Sequence, residues 1–79
     1  MDTIEDGALQ TALDWHLATD PIVKYFSWQH LTHERLRETT KRFAVQAAFI
    51  LEDVPRNAER TAGLRKLLEA KDCIVRAAL

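Results

Sequence analysis

The stretch ERTAGLRKLLEAKDCIVRAAL, residues 59–79, has the spacing of an amphipathic helix but is apolar on two adjoining faces. Its apolar side chains form two seams: Leu64, Leu68, Val75 and Ala78, interrupted by Lys71, and beside them Leu67, Ala70, Ile74 and Ala77. A helix that packs on one neighbour needs only one apolar stripe. The second seam therefore predicts a further partner for this helix.

The residues before this stretch predict a second long helix. Thr32 is a candidate N-cap for a helix that runs to about Asp53, and Pro55 ends it. Because the connection VPRN is only a few residues long, the two helices are expected to form an antiparallel hairpin. The seam of the first helix steps at heptad-like intervals through Leu36, Thr40, Phe43, Ala47, Ile50 and Val54, and is widened by Ala44, Ala48 and Leu51.

The N-terminal residues predict a shorter helix over 3–18. Asp20 and Pro21 then mark a stop and a restart, with Asp20 as a cap and Pro21 at the first helical position. We expect one all-α domain with an acidic N-terminal arm or helix (1–20) and an aromatic connector (21–31). Its hairpin helices are expected at 32–54 and 56–79.

A chain of 79 residues is marginally stable as a lone domain. The N-terminal segment can cover part of the second seam, and other copies of the chain can cover the rest. We therefore favour a homo-oligomer, since symmetric assembly is the usual outcome. The alternative is a compact monomeric bundle of three or four helices.

Charge is distributed unevenly along the chain, although the net charge is only −1. Residues 1–20 hold five acidic residues and no Lys or Arg, whereas residues 21–79 hold all eleven basic residues against seven acidic ones. This balance suits small anionic ligands better than a long nucleic acid, which needs a continuous basic stripe. Cys73 is the only cysteine and is expected to be a small buried side chain; with no signal peptide or membrane span recognised, a cytosolic protein is expected.

Catalytic and metal-binding motifs are missing from the sequence. It has no Gly-rich phosphate loop, no nucleophile elbow and no Cys–His pair in a recognisable context. His30 and His33 lie beside Glu34, but no second ligand pair follows at zinc spacing, so a capping or surface role is expected for both. We expect a protein that is not an enzyme and needs no metal or cofactor.

The aromatic connector YFSWQH, residues 25–30, is followed by four basic residues, Arg35, Arg37, Lys41 and Arg42. Aromatic faces stack on nucleobases, and arginine binds phosphate in a bidentate manner. The alternative is that Phe26 and Trp28 fill the open end of the hairpin while the basic residues are solvated.

The motifs FSWQH, LRETTK, VPRN, ERTAGL and KLLEA, in this order, resemble those of the small phage sponge proteins that defeat CBASS immunity. Their helical-hairpin domain also occurs in part of one anti-Thoeris sponge family. A branch from phages of actinobacteria is similar in its YF-x-aromatic-x-HL opening and its LRKLLEAKD-x-x-VRA ending. The resemblance covers about residues 25–78.

The resemblance implies a hexamer of helical hairpins in the cytoplasm of an infected bacterial host. Members hold cyclic di- and trinucleotides, such as cyclic GMP-AMP and cyclic di- and tri-adenylate, away from immune effectors without cleaving them. Trp28 matches the residue that stacks on the base, and Arg37, with Lys41 as the fallback, matches the basic residue. Phe26 and His30 come from the same dinucleotide motif. Thr39 and, more loosely, Arg76 match residues of a separate trinucleotide site.

Two other functions remain open at this point. One is a helical oligomeric adaptor that binds no small ligand and buries its aromatic cluster. The other is a sponge for signals of the cyclic ADP-ribose type, which present similar bases and phosphates. A small DNA-binding regulator is disfavoured, because the net charge of −1 and the long uninterrupted helices do not suit a basic recognition helix.

Overall fold

A computed structural model describes residues 4–79, and every regular element within them is helical. Helix α1 spans Asp6–His16, a 3₁₀ helix spans Pro21–Phe26, α2 spans Glu34–Asp53 and α3 spans Ala58–Ala78. The predicted all-α class is confirmed. Asp2 and the predicted helix start at residue 3 lie outside the described residues.

Helix α1 is amphipathic and buries two leucines one turn apart, Leu9 and Leu13. The chain then turns, and the 3₁₀ helix begins at Pro21, as the fixed φ of proline favours. Asp20 stands at the N-cap position of this helix, as predicted, but its side chain makes no capping hydrogen bond. The Asp20 carboxylate is buried and pairs with two arginines near the start of α3 instead.

Helix α2 begins two residues after the predicted start at Thr32. The residue at its N-cap is His33, which makes no side-chain capping bond, so the prediction for Thr32 is wrong. The buried face of α2, on which α1, the 3₁₀ helix and α3 pack, contains five residues of the predicted seam and its widening and adds Val45. It consists of Thr40, Ala44, Val45, Ala47, Ala48 and Leu51. Val54, at the end of the predicted seam, is 42% exposed.

Helix α3 begins at Ala58, two residues after the predicted start at 56, and is capped by Asn57, whose side-chain oxygen accepts a hydrogen bond from the Arg60 backbone N–H at 2.8 Å. Only Arg60 and Leu64 are buried on this helix. The first seam continues half-buried from Leu64 to the C-terminus, including Lys71. Cys73 lies off this stripe and is exposed, so the expectation that it is buried is wrong.

The second seam of α3 is the open one. Leu67 is half-buried against the core, but Ala70 and Ala77 are exposed and Ile74 is 48% exposed. Among the described residues, α3 packs on α2 and on the 3₁₀ helix, and α1 does not reach it. This chain therefore leaves most of the second seam uncovered.

The core lies where α1, the 3₁₀ helix and the connector pack on α2. Phe26 and Trp28 have no exposed surface and are the largest enclosed side chains, with Leu9 and Leu13 beside them. Within the described range, no helix is both long and apolar enough to cross a membrane.

Candidate functional site

Three of the predicted site residues, Trp28, Arg37 and Lys41, lie around one carboxylate, that of Asp6. Asp6 is the first residue of α1, and its Oδ1 lies 2.6 Å from Nζ of Lys41 on α2. The Lys41 side chain is only 14% exposed, whereas that of Asp6 is 49% exposed. The contact therefore holds a largely enclosed ammonium group against an accessible carboxylate.

The electrostatics of this cluster favour an anion. The hydrogen bond and charge of Lys41 lower the pKa of Asp6 below its ordinary value of 3.8, against the partial desolvation that raises it. The indole N–H of Trp28 and the charge of Arg37 lower the pKa of Asp6 further. A lysine, an arginine and an indole donor thus act together on one negatively charged group.

Trp28 contributes its N–H to this cluster but not its ring faces. Its Nε1 lies near the Asp6 carboxylate, yet within residues 4–79 it has no partner in hydrogen-bonding geometry. The side chain is fully enclosed, as is that of Phe26. Neither ring is open to a base in this conformation, so the stacking role stays a prediction and requires the ring to be uncovered first.

The remaining predicted site residues lie apart from this cluster. His30 is exposed in the turn before α2, and Thr39 is half-buried on α2. Arg76 is exposed near the end of α3, where its NH2 group is 3.5 Å from Sγ of Cys73. No hydrogen bond joins Thr39 to Arg76 among the described residues. The trinucleotide site stays a prediction from the resemblance alone.

The accessible aromatic residue of the connector is Tyr25, which is 55% exposed. Nζ of Lys24 lies 5.1 Å from the centroid of its ring, within the range of a cation–π contact. Tyr25 thus presents a ring in the open, although its neighbour Lys24 already lies over it.

Surface clefts occur elsewhere on the described chain. An apolar one of about 260 Å³ lies between α1 and α2, with Ile4, Ala8, Ala12 and Phe49 among its lining residues. A more polar one lies between the connector and α3, lined in part by Asp20, Arg56 and Arg65. In residues 4–79, no group of three or more His, Cys, Asp or Glu side chains is placed to hold a metal ion.

Sequence reasoning missed Asp6 and a buried arginine. The charge asymmetry between the acidic arm and the basic body was the signal for Asp6, since it predicts pairing between them. Arg60 is 7% exposed; its NH1 group lies 3.6 Å from Oδ1 of Asp20 and its NH2 donates to the Leu51 carbonyl at 3.4 Å. Arg60 lies one turn before Leu64, on the line of the first seam, so the helical spacing was the signal that it is buried.

Comparisons with known proteins add no relative. No protein-family model, curated protein or solved structure matches this chain.

Proposed function

We propose that this chain is a phage anti-defence sponge that binds cyclic di- and trinucleotide immune messengers in the cytoplasm of the bacterial host and blocks activation of CBASS effectors. The observation that carries the proposal is the grouping of Lys41, Arg37 and the Trp28 N–H around the Asp6 carboxylate. Donors that stabilise a carboxylate also suit phosphate oxygens. The motif resemblance supplies the class of ligand.

The proposed mechanism is sequestration without chemistry. A protein present in stoichiometric excess lowers the free messenger concentration below the threshold of the effector, and needs no metal, cofactor or turnover. Lys41 and Arg37 neutralise the ligand phosphates in this mechanism. A base then stacks on Trp28 once the ring is uncovered, or on the exposed ring of Tyr25.

We propose further that α2 and α3 form an antiparallel hairpin and that copies of the chain assemble through α3, as a hexamer. The open second seam supports this, because Ile74 is exposed between Ala70 and Ala77, which are exposed as well. Small residues allow two helices to approach closely, and burying an exposed apolar stripe is the usual drive to association. Ligands then bind in clefts between protomers.

A helical oligomeric adaptor without a small ligand is the second candidate. The complete burial of Phe26 and Trp28 favours it, because a buried aromatic cluster is what an adaptor requires. Both candidates share the assembly and differ in ligand binding.

Calorimetry with a panel of ligands separates the candidates. The panel contains cyclic dinucleotides, a cyclic trinucleotide, a cyclic ADP-ribose derivative and a DNA duplex. The sponge proposal expects a Kd below about 10 μM for at least one cyclic dinucleotide, and loss of this binding in Lys41→Gln. No binding across the cyclic nucleotides favours the adaptor, and recovery of linear products after incubation makes the protein an enzyme.

Light scattering of the purified chain tests the assembly. Ile74→Glu places a charge in the second seam and is expected to reduce the oligomer to smaller species without unfolding the helices. Ala62→Glu is the matched control, because Ala62 is also exposed on α3 but lies outside both seams. A monomeric wild-type chain, or equal loss of assembly in both variants, contradicts association through this seam.

A further inference from the structure

Helix α1 is held to the rest of the chain by few contacts. Only Leu9 and Leu13 are buried on it. One polar contact lies at each end, the 2.6 Å Asp6–Lys41 pair at the start and a 3.2 Å contact between Nε2 of His16 and Oε1 of Glu52 at the last residue. Because residues 5–8 are exposed, the first turn of α1 is attached by Asp6 and by Ile4 just before it, which is half-buried against the core.

The Asp6 carboxylate does not provide a hydrogen-bond acceptor for every donor around it. Lys41 contacts Oδ1, while the enclosed Nε1 of Trp28 has no hydrogen-bond partner in the part of the chain that the structure describes. A buried donor without a partner is unfavourable. A phosphate group presents more acceptor oxygens than a carboxylate, so it can contact the Lys41 ammonium and the Trp28 N–H at the same time.

We propose that Asp6 is an internal competitor at this site: its carboxylate takes the position of a ligand phosphate, and the first turn of α1 must release Lys41 before a phosphate-bearing ligand binds. The identity of that ligand as a cyclic oligonucleotide rests on the proposed function, but the competition does not. The acidic N-terminal helix then sets the affinity of the site, because ligand binding is weakened by the fraction of molecules in which Asp6 occupies it.

The test compares Asp6→Asn with Asp14→Asn, using inorganic pyrophosphate and cyclic di-adenylate as probes in calorimetry. Both substitutions remove one negative charge from α1. Asp14 accepts a hydrogen bond from Nε2 of Gln10 at 2.7 Å and takes no part in the Lys41 contact, so it controls for net charge. Because an accessible ion pair contributes modestly, Asp6→Asn is expected to bind pyrophosphate about two- to fivefold more tightly than the wild type. Asp14→Asn is expected to match the wild type.

Amide hydrogen exchange gives a second readout that does not depend on affinity. The Leu9 N–H donates to the Glu5 carbonyl at 3.0 Å in the first turn of α1. Saturating pyrophosphate is expected to speed the exchange of this amide in the wild type and to leave the amides of α3 unchanged. Unchanged exchange at Leu9, or equal affinity in Asp6→Asn and the wild type, overturns the proposal.

The two probes separate this inference from the proposed function. If Asp6→Asn binds pyrophosphate more tightly while cyclic di-adenylate and the other cyclic nucleotides bind neither protein, the competition stands and the sponge proposal fails. If cyclic di-adenylate binds the wild type and Asp6→Asn equally, the sponge proposal stands and the competition fails. If neither pyrophosphate nor any cyclic nucleotide binds the wild type or a variant, both proposals are overturned.

Discussion

The aromatic connector and the C-terminal half of α3 are both rich in apolar side chains, but the chain encloses only the first. Phe26 and Trp28 have no exposed surface, whereas Ile74 is 48% exposed and Leu79 is 84% exposed. The difference follows from the position of α1, which packs on α2 and the 3₁₀ helix and, in the described chain, does not reach α3. In this short chain only α1 can cover additional apolar surface, so the side of α2 on which α1 packs determines which apolar surface stays exposed.

The two tryptophans show the same contrast at a single residue type. Trp28 is fully enclosed, while Trp15, on the outer side of α1, is 81% exposed. Burial of an aromatic side chain contributes to stability in proportion to the apolar area removed from water. Substituting each tryptophan in turn therefore compares what an enclosed and an exposed indole contribute to the free energy of unfolding.

The largest effect is expected for Trp28→Ala. Removing an enclosed indole leaves a cavity that the surrounding residues fill only in part, and the cost is about 3–5 kcal/mol. The free energy of unfolding, measured by urea denaturation, is expected to fall by this amount, which leaves little of the stability of a small domain. Trp15→Ala is the control and is expected to change it by less than about 0.5 kcal/mol.

Two results would contradict the enclosure of Trp28. A Trp28→Ala chain with wild-type stability that no longer binds a cyclic dinucleotide would mean that the indole is open in solution and serves the ligand directly. Equal destabilisation by both alanine variants would also contradict an enclosed Trp28 beside an exposed Trp15.

The helices could be predicted from the sequence because their signals are local. Pro21, Pro55 and Asn57 act on the backbone beside them, and the apolar spacing of α3 follows from its own residues. Burial of Trp28 and pairing of Asp6 with Lys41 depend on where α1 packs on α2, and local sequence patterns do not predict that position. The predicted site therefore includes two basic residues, Arg37 and Lys41, that act on the Asp6 carboxylate, but the sequence did not predict this carboxylate beside them.

A smaller effect is expected at the first turn of α3, where the enclosed region extends onto that helix. Arg60→Met removes a buried guanidinium that lies against Asp20 and the Leu51 carbonyl. Breaking a buried pair commonly costs about 3–5 kcal/mol. Here Arg56 remains 2.8 Å from Asp20, so a loss of about 2 kcal/mol in the free energy of unfolding is expected.

Arg76→Met is the matched control at the other end of α3, since Arg76 is exposed. It is expected to change the free energy of unfolding by less than about 0.5 kcal/mol in the isolated chain. Equal destabilisation by the two variants would contradict a buried Arg60 beside an exposed Arg76. It would mean that another copy of the chain encloses the last turns of α3 in solution.

The smallest effect is expected for the contact that holds the first turn of α1 over the enclosed region. Lys41 and, to a lesser extent, Arg37 lower the pKa of Asp6 below 3.8, so the ionised carboxylate is favoured in the folded chain. A lowered pKa contributes stability above the ordinary value, and this contribution is lost as the pH falls below 3.8 through the lowered one. The wild type is therefore expected to be slightly more stable than Asp6→Asn at neutral pH, with the difference vanishing in acid. High salt is expected to reduce this difference in stability, because an ion pair with an exposed carboxylate is screened. A difference that grows in acid would mean that desolvation raises the pKa of Asp6 more than Lys41 lowers it, and the Asp6–Lys41 contact would then not help to hold α1 on α2.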